Sequence, residues 1–106
     1  MLNDLDEWRS VCSSRGIRLC VDAISSFANA PLDLRGVALA SGVSGKGLGA
    51  FPGLAFVFHD APPRHASSSL PRYLDLGLYA EQEGIPFTLS SNLLYAAGAA
   101  IRRFDG

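Results

Sequence analysis

Residues 37–59 read VALASGVSGKGLGAFPGLAFVFH, two apolar runs on either side of the densest punctuation in the chain. The first run, residues 37–43, is built of small apolar residues and predicts a short buried strand. The second, residues 54–59, is aromatic and β-branched and predicts another. Between Gly42 and Gly53 lie five glycines, Pro52 and Lys46, a composition that holds no regular element and lets the backbone approach a neighbour closely. Moving toward the N-terminus, residues 25–36 carry Pro31 and Gly36 and read as a connecting loop. Residues 17–24, IRLCVDAI, predict a third strand, with the carboxylate of Asp22 near its end. Residues 2–15 predict a helix: Leu5, Trp8 and Cys12 share one face, acids occupy the first turn, and Arg15 and Gly16 mark its end. Toward the C-terminus, residues 60–69 are a Pro- and Ser-rich loop. Residues 70–83 predict a helix with Leu70, Leu74 and Leu78 in line, Ser69 as its cap, Pro71 in its first turn and Gly84 at its end. A short extended piece over 85–89 then leads to a last helix from about Ser91, with Leu94, Ala97, Ile101 and Phe104 as its apolar stripe. The order is that of an α/β fold, yet three strands and three helices are too few to cover both faces of a parallel sheet.

Composition says the same. The chain has 106 residues, 48% hydrophobic and 18% charged, with a net charge of −1 and a mean hydropathy of +0.19. That is more apolar surface than a free-standing domain of this size hides, so something else is expected to cover it. Eight arginines and one lysine against ten acids leave no basic surplus, which argues against a nucleic-acid or anionic-membrane partner. Residues 85–101 form the longest uncharged run, but Pro86, Thr88, Ser90, Ser91 and Asn92 interrupt it, and it is shorter than the ~20 apolar residues of a membrane span. Asp4, Asp6 and Glu7 stand where a signal peptide would be basic and then apolar, so the chain is expected to be soluble and cytoplasmic. Cys12 and Cys20 lack the spacing of a zinc or redox pair and read as buried thiols in a reducing compartment.

The chemistry concentrates on Asp22 and Lys46. Lysine can lose its proton and attack a carbonyl, which arginine cannot, and Lys46 is the chain's only lysine, flanked by Gly45 and Gly47. A solvated loop charge, or a coding bias toward arginine, gives the same pattern. The loop is not a Walker motif, because Ala40 occupies the first glycine position and Gly47 the hydroxyl position. His59, Asp60 and His65 lack the spacing of metal ligands, and no metal is expected. Ser25 and Ser26 have no nucleophile elbow around them, so a hydrolase is set aside.

Three segments in order, GIRLCVDAISSFANAPLDL (16–34), SGVSGKGLGAFPGLAFVF (41–58) and PFTLSSNLLYAA (86–97), resemble the centre of the class V aminotransferases, pyridoxal-phosphate enzymes of fold type I. The first is most similar to the 2-aminoethylphosphonate:pyruvate transaminases, and the second also resembles alanine:glyoxylate and serine:pyruvate relatives. The resemblance implies that Lys46 holds pyridoxal 5'-phosphate covalently and that Asp22 pairs with its ring nitrogen. It further implies that Ile24 packs on the ring, Ser44 offers a hydroxyl to the phosphate, and Thr88 reaches the phosphate held by the partner subunit of a homodimer. Gly45 departs from the side-chain amide or imidazole common before that lysine, and Ile85 from an aromatic hydroxyl.

Relatives are several times longer. Their upstream phosphate loop and ring-stacking aromatic, and their downstream small domain with its substrate arginine, have no counterpart here. The resemblance therefore implies that residues 1–106 are the central part of an aminotransferase large domain, a partial three-layer α/β sandwich. The implied activity moves an amino group from 2-aminoethylphosphonate or a small amino acid to a 2-oxo acid, and this length alone is expected to be inactive. The rival expectation is a non-catalytic association module on the same scaffold, since apolar excess serves an interface as well as a core.

Overall fold

Helix α1 (Leu5–Ser14) opens the described structure, a computed structural model that describes residues 4–66 and 70–104. The expected start of α1 at residue 2 lies outside those residues. Asp4 caps the helix, its carboxylate accepting from the backbone N–H groups of Asp6 and Glu7 at 2.9 and 3.2 Å. At the other end Gly16 takes a left-handed φ of 64°. The Ile17 and Gly16 N–H groups then donate to the carbonyls of Cys12 and Ser13, a Schellman closure that turns the chain sharply out of the helix. The inward face is Leu5, Arg9 and Cys12, whereas Trp8, expected inside, is 54% exposed.

Strand β1 (Cys20–Asp22) is shorter than the expected 17–24, because the Schellman turn occupies its beginning and the chain bends into a tight turn after Asp22. Strands β2 (Leu39–Val43) and β3 (Ala55–His59) fall within the two runs that flank the glycine loop. The sheet order is β1-β2-β3, with β1 and β2 parallel (Asp22 beside Ser41) and β2 and β3 antiparallel (Ser41 beside Val57, Gly42 beside Phe56). Alternation puts Val21, Ala40, Gly42, Phe56 and Phe58 on one face. Phe27, from the turn after β1, stacks on that face, its ring centroid 5.2 Å from Phe58 and 5.8 Å from Phe56. A Cβ at Gly42 would come within 3.1 Å of the Phe27 ring, so the close approach depends on glycine there. The opposite face carries Asp22, Ser41, Val57 and Cys20 and is more open. Cys20 is accordingly exposed, contrary to the expectation of a buried thiol.

The expected helix over 70–83 is a 3-10 turn at Arg72–Leu74 followed by helix α2 (Leu76–Glu81). Asp75 causes the break. Its extended backbone ends the turn, and its side chain caps α2 by accepting from the Gly77 N–H. The expected cap Ser69 lies outside the described residues. Residues 85–89 join no sheet, and helix α3 (Ser91–Arg103) ends the described chain. In α3 the small residues turn inward, with Ala97 buried and Ala96 and Ala100 half-buried, while Leu94, Ile101 and Phe104 of the expected stripe are exposed. The buried apolar residues are Ala23, Val37, Ala38, Ala40, Leu48, Leu54, Leu78 and Ala97, most of them small, and they center on β2 and the loop that follows it.

Candidate active site

Parallel strands end at the same edge of a sheet, so the end of β1 at Asp22 and the end of β2 at Val43, three residues before Lys46, bring the two residues together. Both line one open crevice of about 800 Å³, together with Val21, Ile24, Ser25 and Ser26 and with Asp4, Asp6, Arg9 and Asp33. Ile24 and Lys46 also border a second hollow of about 470 Å³ that runs past Val43, Gly45 and Pro52.

Each charge is held by a hydroxyl. The Oδ1 of Asp22 accepts from the Ile24 backbone N–H at 3.0 Å and from the Ser41 hydroxyl at 2.9 Å. The Ile24 N–H, then the Ser41 hydroxyl, and beyond them the positive charge of Lys46 hold the Asp22 carboxyl below its ordinary value, so it is ionised at neutral pH. Lys46 Nζ donates to the Ser25 hydroxyl at 2.7 Å.

The glycines around Lys46 fix where it stands. A Cβ at Gly45 would lie 2.7 Å from the Pro52 ring, and one at Gly47 would lie 2.3 Å from the Phe27 carbonyl oxygen, so the loop is pressed between its own far end and the turn after β1. Ser44 is fully buried and does not line the crevice. Its hydroxyl donates to the Phe51 carbonyl at 2.6 Å and accepts from the Leu54 N–H at 3.2 Å. The resemblance implies a phosphate ligand at Ser44; in this structure its one hydroxyl hydrogen is given to the Phe51 carbonyl and the side chain is buried away from the crevice. Thr88 is exposed, lies in the segment before α3 and lines none of these hollows.

Sequence reasoning missed Ser25 and Ser41 as partners of the charged pair. The signal for Ser41 was its place next to Asp22 in the parallel register, which requires knowing that the strands pair. His65 was also set aside as a loop residue. Its Nδ1 lies 2.9 Å from Asp75 Oδ2 and its Nε2 3.0 Å from Glu81 Oε2, a pairing that raises the His65 pKa.

No family model matches the chain. It is 34% identical, over 99% of its length, to a 2-aminoethylphosphonate–pyruvate transaminase of Aeromonas hydrophila, and 41% identical over 74% of its length to one of Paraburkholderia phymatum. It spans 30% of the length of the first and 22% of the second. Among solved structures, the alanine–glyoxylate aminotransferase of Nostoc sp. superposes on 90% of this chain with a TM-score of 0.71 and 31% identity, over 28% of that protein's length. Sequence and fold thus agree: the chain is similar to a segment of the 2-aminoethylphosphonate–pyruvate transaminases and has the α/β fold of the matching part of a fold type I aminotransferase.

Proposed function

We propose that this chain carries the cofactor-holding segment of a pyridoxal-phosphate-dependent transaminase, with Lys46 and Asp22 as its reactive and electrostatic residues. The observation that supports this best is the crevice they share. An amine and a carboxylate on neighbouring parallel strand ends face one space, each oriented by a hydroxyl, as an amine-reactive aldehyde with a basic ring nitrogen requires. When bound, pyridoxal phosphate supplies an electron-accepting ring through which an amino group passes to a 2-oxo acid.

The chain's own residues divide the work. Lys46 offers the only side-chain amine, which in its neutral form can attack a carbonyl and can carry a proton, and Ser25 accepts a hydrogen bond from it. Asp22, ionised, holds a proton on a ring nitrogen placed against its carboxylate. Ile24 adds an apolar side chain to the lining of the crevice they share. An amino donor such as 2-aminoethylphosphonate, an acceptor such as pyruvate, and a homodimer that brings a second subunit's Thr88 to the phosphate complete the reading. The test replaces the matching segment of a full-length 2-aminoethylphosphonate–pyruvate transaminase with residues 1–106 and follows amino transfer. Turnover that Lys46→Arg abolishes is expected. Turnover indifferent to that change removes the assignment, and a folded chimera without turnover favours the association module, for which the exposed Phe51, Tyr73 and Tyr95 speak.

A further inference from the structure

We infer that Ser41 is a positioning residue: from the neighbouring strand it fixes the Asp22 carboxylate so that one oxygen is occupied and the other is presented to the crevice. The inference rests on the proposed role of Asp22, and it adds a residue to which nothing in the three resembling motifs assigns a part.

A terminal carboxylate torsion is broad and two-fold, so a single hydrogen bond leaves an aspartate free to turn. Asp22 has two, and they come from different parts of the fold. The Ile24 N–H reaches Oδ1 from two residues ahead in the same turn, a local contact that moves with the turn. The Ser41 hydroxyl reaches the same oxygen at 2.9 Å from the middle of β2, which pairs on both sides and is the best-anchored strand of the sheet. The parallel register sets Ser41 beside Asp22, and alternation puts both on the open face. On its other side Ser41 neighbours Val57, which has no polar group to compete for the hydroxyl. Oδ2 accepts no hydrogen bond among the described residues and remains for a donor in the crevice that Asp22 lines. Both contacts also favour the ionised form, the state a protonated ring nitrogen needs opposite it.

The experiment compares Ser41→Thr with Ser41→Val, side chains of nearly equal shape that differ in the hydroxyl. The first readout is the carboxyl carbon of Asp22, followed by NMR titration of the labelled chain without cofactor, with the amide spectrum confirming the fold of each variant. The second is the concentration of pyridoxal phosphate that half-saturates the chain. With valine, the Asp22 midpoint is expected to rise toward the ordinary carboxylate value and half-saturation to need about three- to ten-fold more cofactor, the net scale of one ordinary hydrogen bond. Threonine is expected to leave both unchanged. An Asp22 midpoint that valine does not move overturns the positioning role, as does a moved midpoint with unchanged cofactor binding. Failure of the underlying reading shows differently, as pyridoxal phosphate binding that Lys46→Arg leaves intact.

Discussion

Asp22 accepts two hydrogen bonds on one oxygen, and its negative charge lies within reach of Lys46, so the charge is the property to remove. In a full-length relative carrying this segment, Asp22→Asn should still hold cofactor through Lys46 at saturating concentration, though less tightly, and slow amino transfer by on the order of 10²-fold or more, the usual cost of losing a preorganised electrostatic partner. Steady-state turnover measures it, and an unchanged rate would make the carboxylate a satisfied strand-end acid. Because the folded carboxyl lies below its ordinary value, whatever Asp22 adds to stability is present above that value and is lost as pH falls through the folded one. Ser44 makes a different kind of contribution. Replacing it with alanine leaves the Leu54 N–H and the Phe51 carbonyl without their partner in a buried site, which should cost about 1–3 kcal/mol, seen as a lower urea midpoint. Asp22 and Lys46 were legible as single residues because an acid in a strand and a lone lysine among glycines stand out from their surroundings. Ser41, Ser25 and the buried use of Ser44 were not, because a serine's partner is set by the strand or loop beside it and leaves no mark on the local pattern.

At the scale of elements, the strand cores were legible and their ends were not. Runs of β-branched and aromatic residues announce β2 and β3, but the Schellman turn at Gly16 and the turn after Asp22 trim β1 to three residues. Helix 70–83 was misread because Asp75, inside an apolar period, caps a new helix and breaks the old one. The same aspartate joins Glu81 in holding His65, and Gly77 lets the His65 backbone lie where a Cβ would collide at 2.3 Å. A neutral imidazole donates from only one nitrogen, so both contacts are satisfied together only by the cation. The His65 pKa is raised first by Asp75 and then by Glu81, so this clamp is fully present below the ordinary histidine value and is lost as pH rises through the raised one. Amide exchange in α2, corrected for intrinsic rates, should therefore accelerate across that window, and in His65→Gln the acceleration should disappear. A second prediction concerns the glycine loop: Gly47→Ala meets the Phe27 carbonyl and should destabilise by about 1–3 kcal/mol, whereas Gly49→Ala meets nothing within 4 Å and is strained only by its φ of 69°.

The molecule as a whole is a plate of 44 × 39 × 18 Å with a radius of gyration of 15.2 Å, against about 13 Å for a compact chain of this length. A plate has little interior, which is why its buried residues are mostly small and why Phe51, Tyr73, Leu74, Tyr95 and Ile101 stay at least half exposed. The composition had shown the apolar excess but not where it lies. On α3 the alanines face inward together with Leu93, while Leu94, Tyr95 and Ile101 face outward. Made alone, the 106-residue chain should self-associate and should not transaminate, which sedimentation and an amino-transfer assay would check together. A monodisperse monomer with turnover would refute the reading that it needs further surfaces. The most direct test of the central claim is covalent. The protein is incubated with pyridoxal phosphate, reduced with borohydride and mapped by peptide mass spectrometry. Saturable labelling of Lys46 that weakens in Asp22→Asn is the expected result. Labelling of Lys46 no better than that of the N-terminal amine, and indifferent to Asp22, would contradict it.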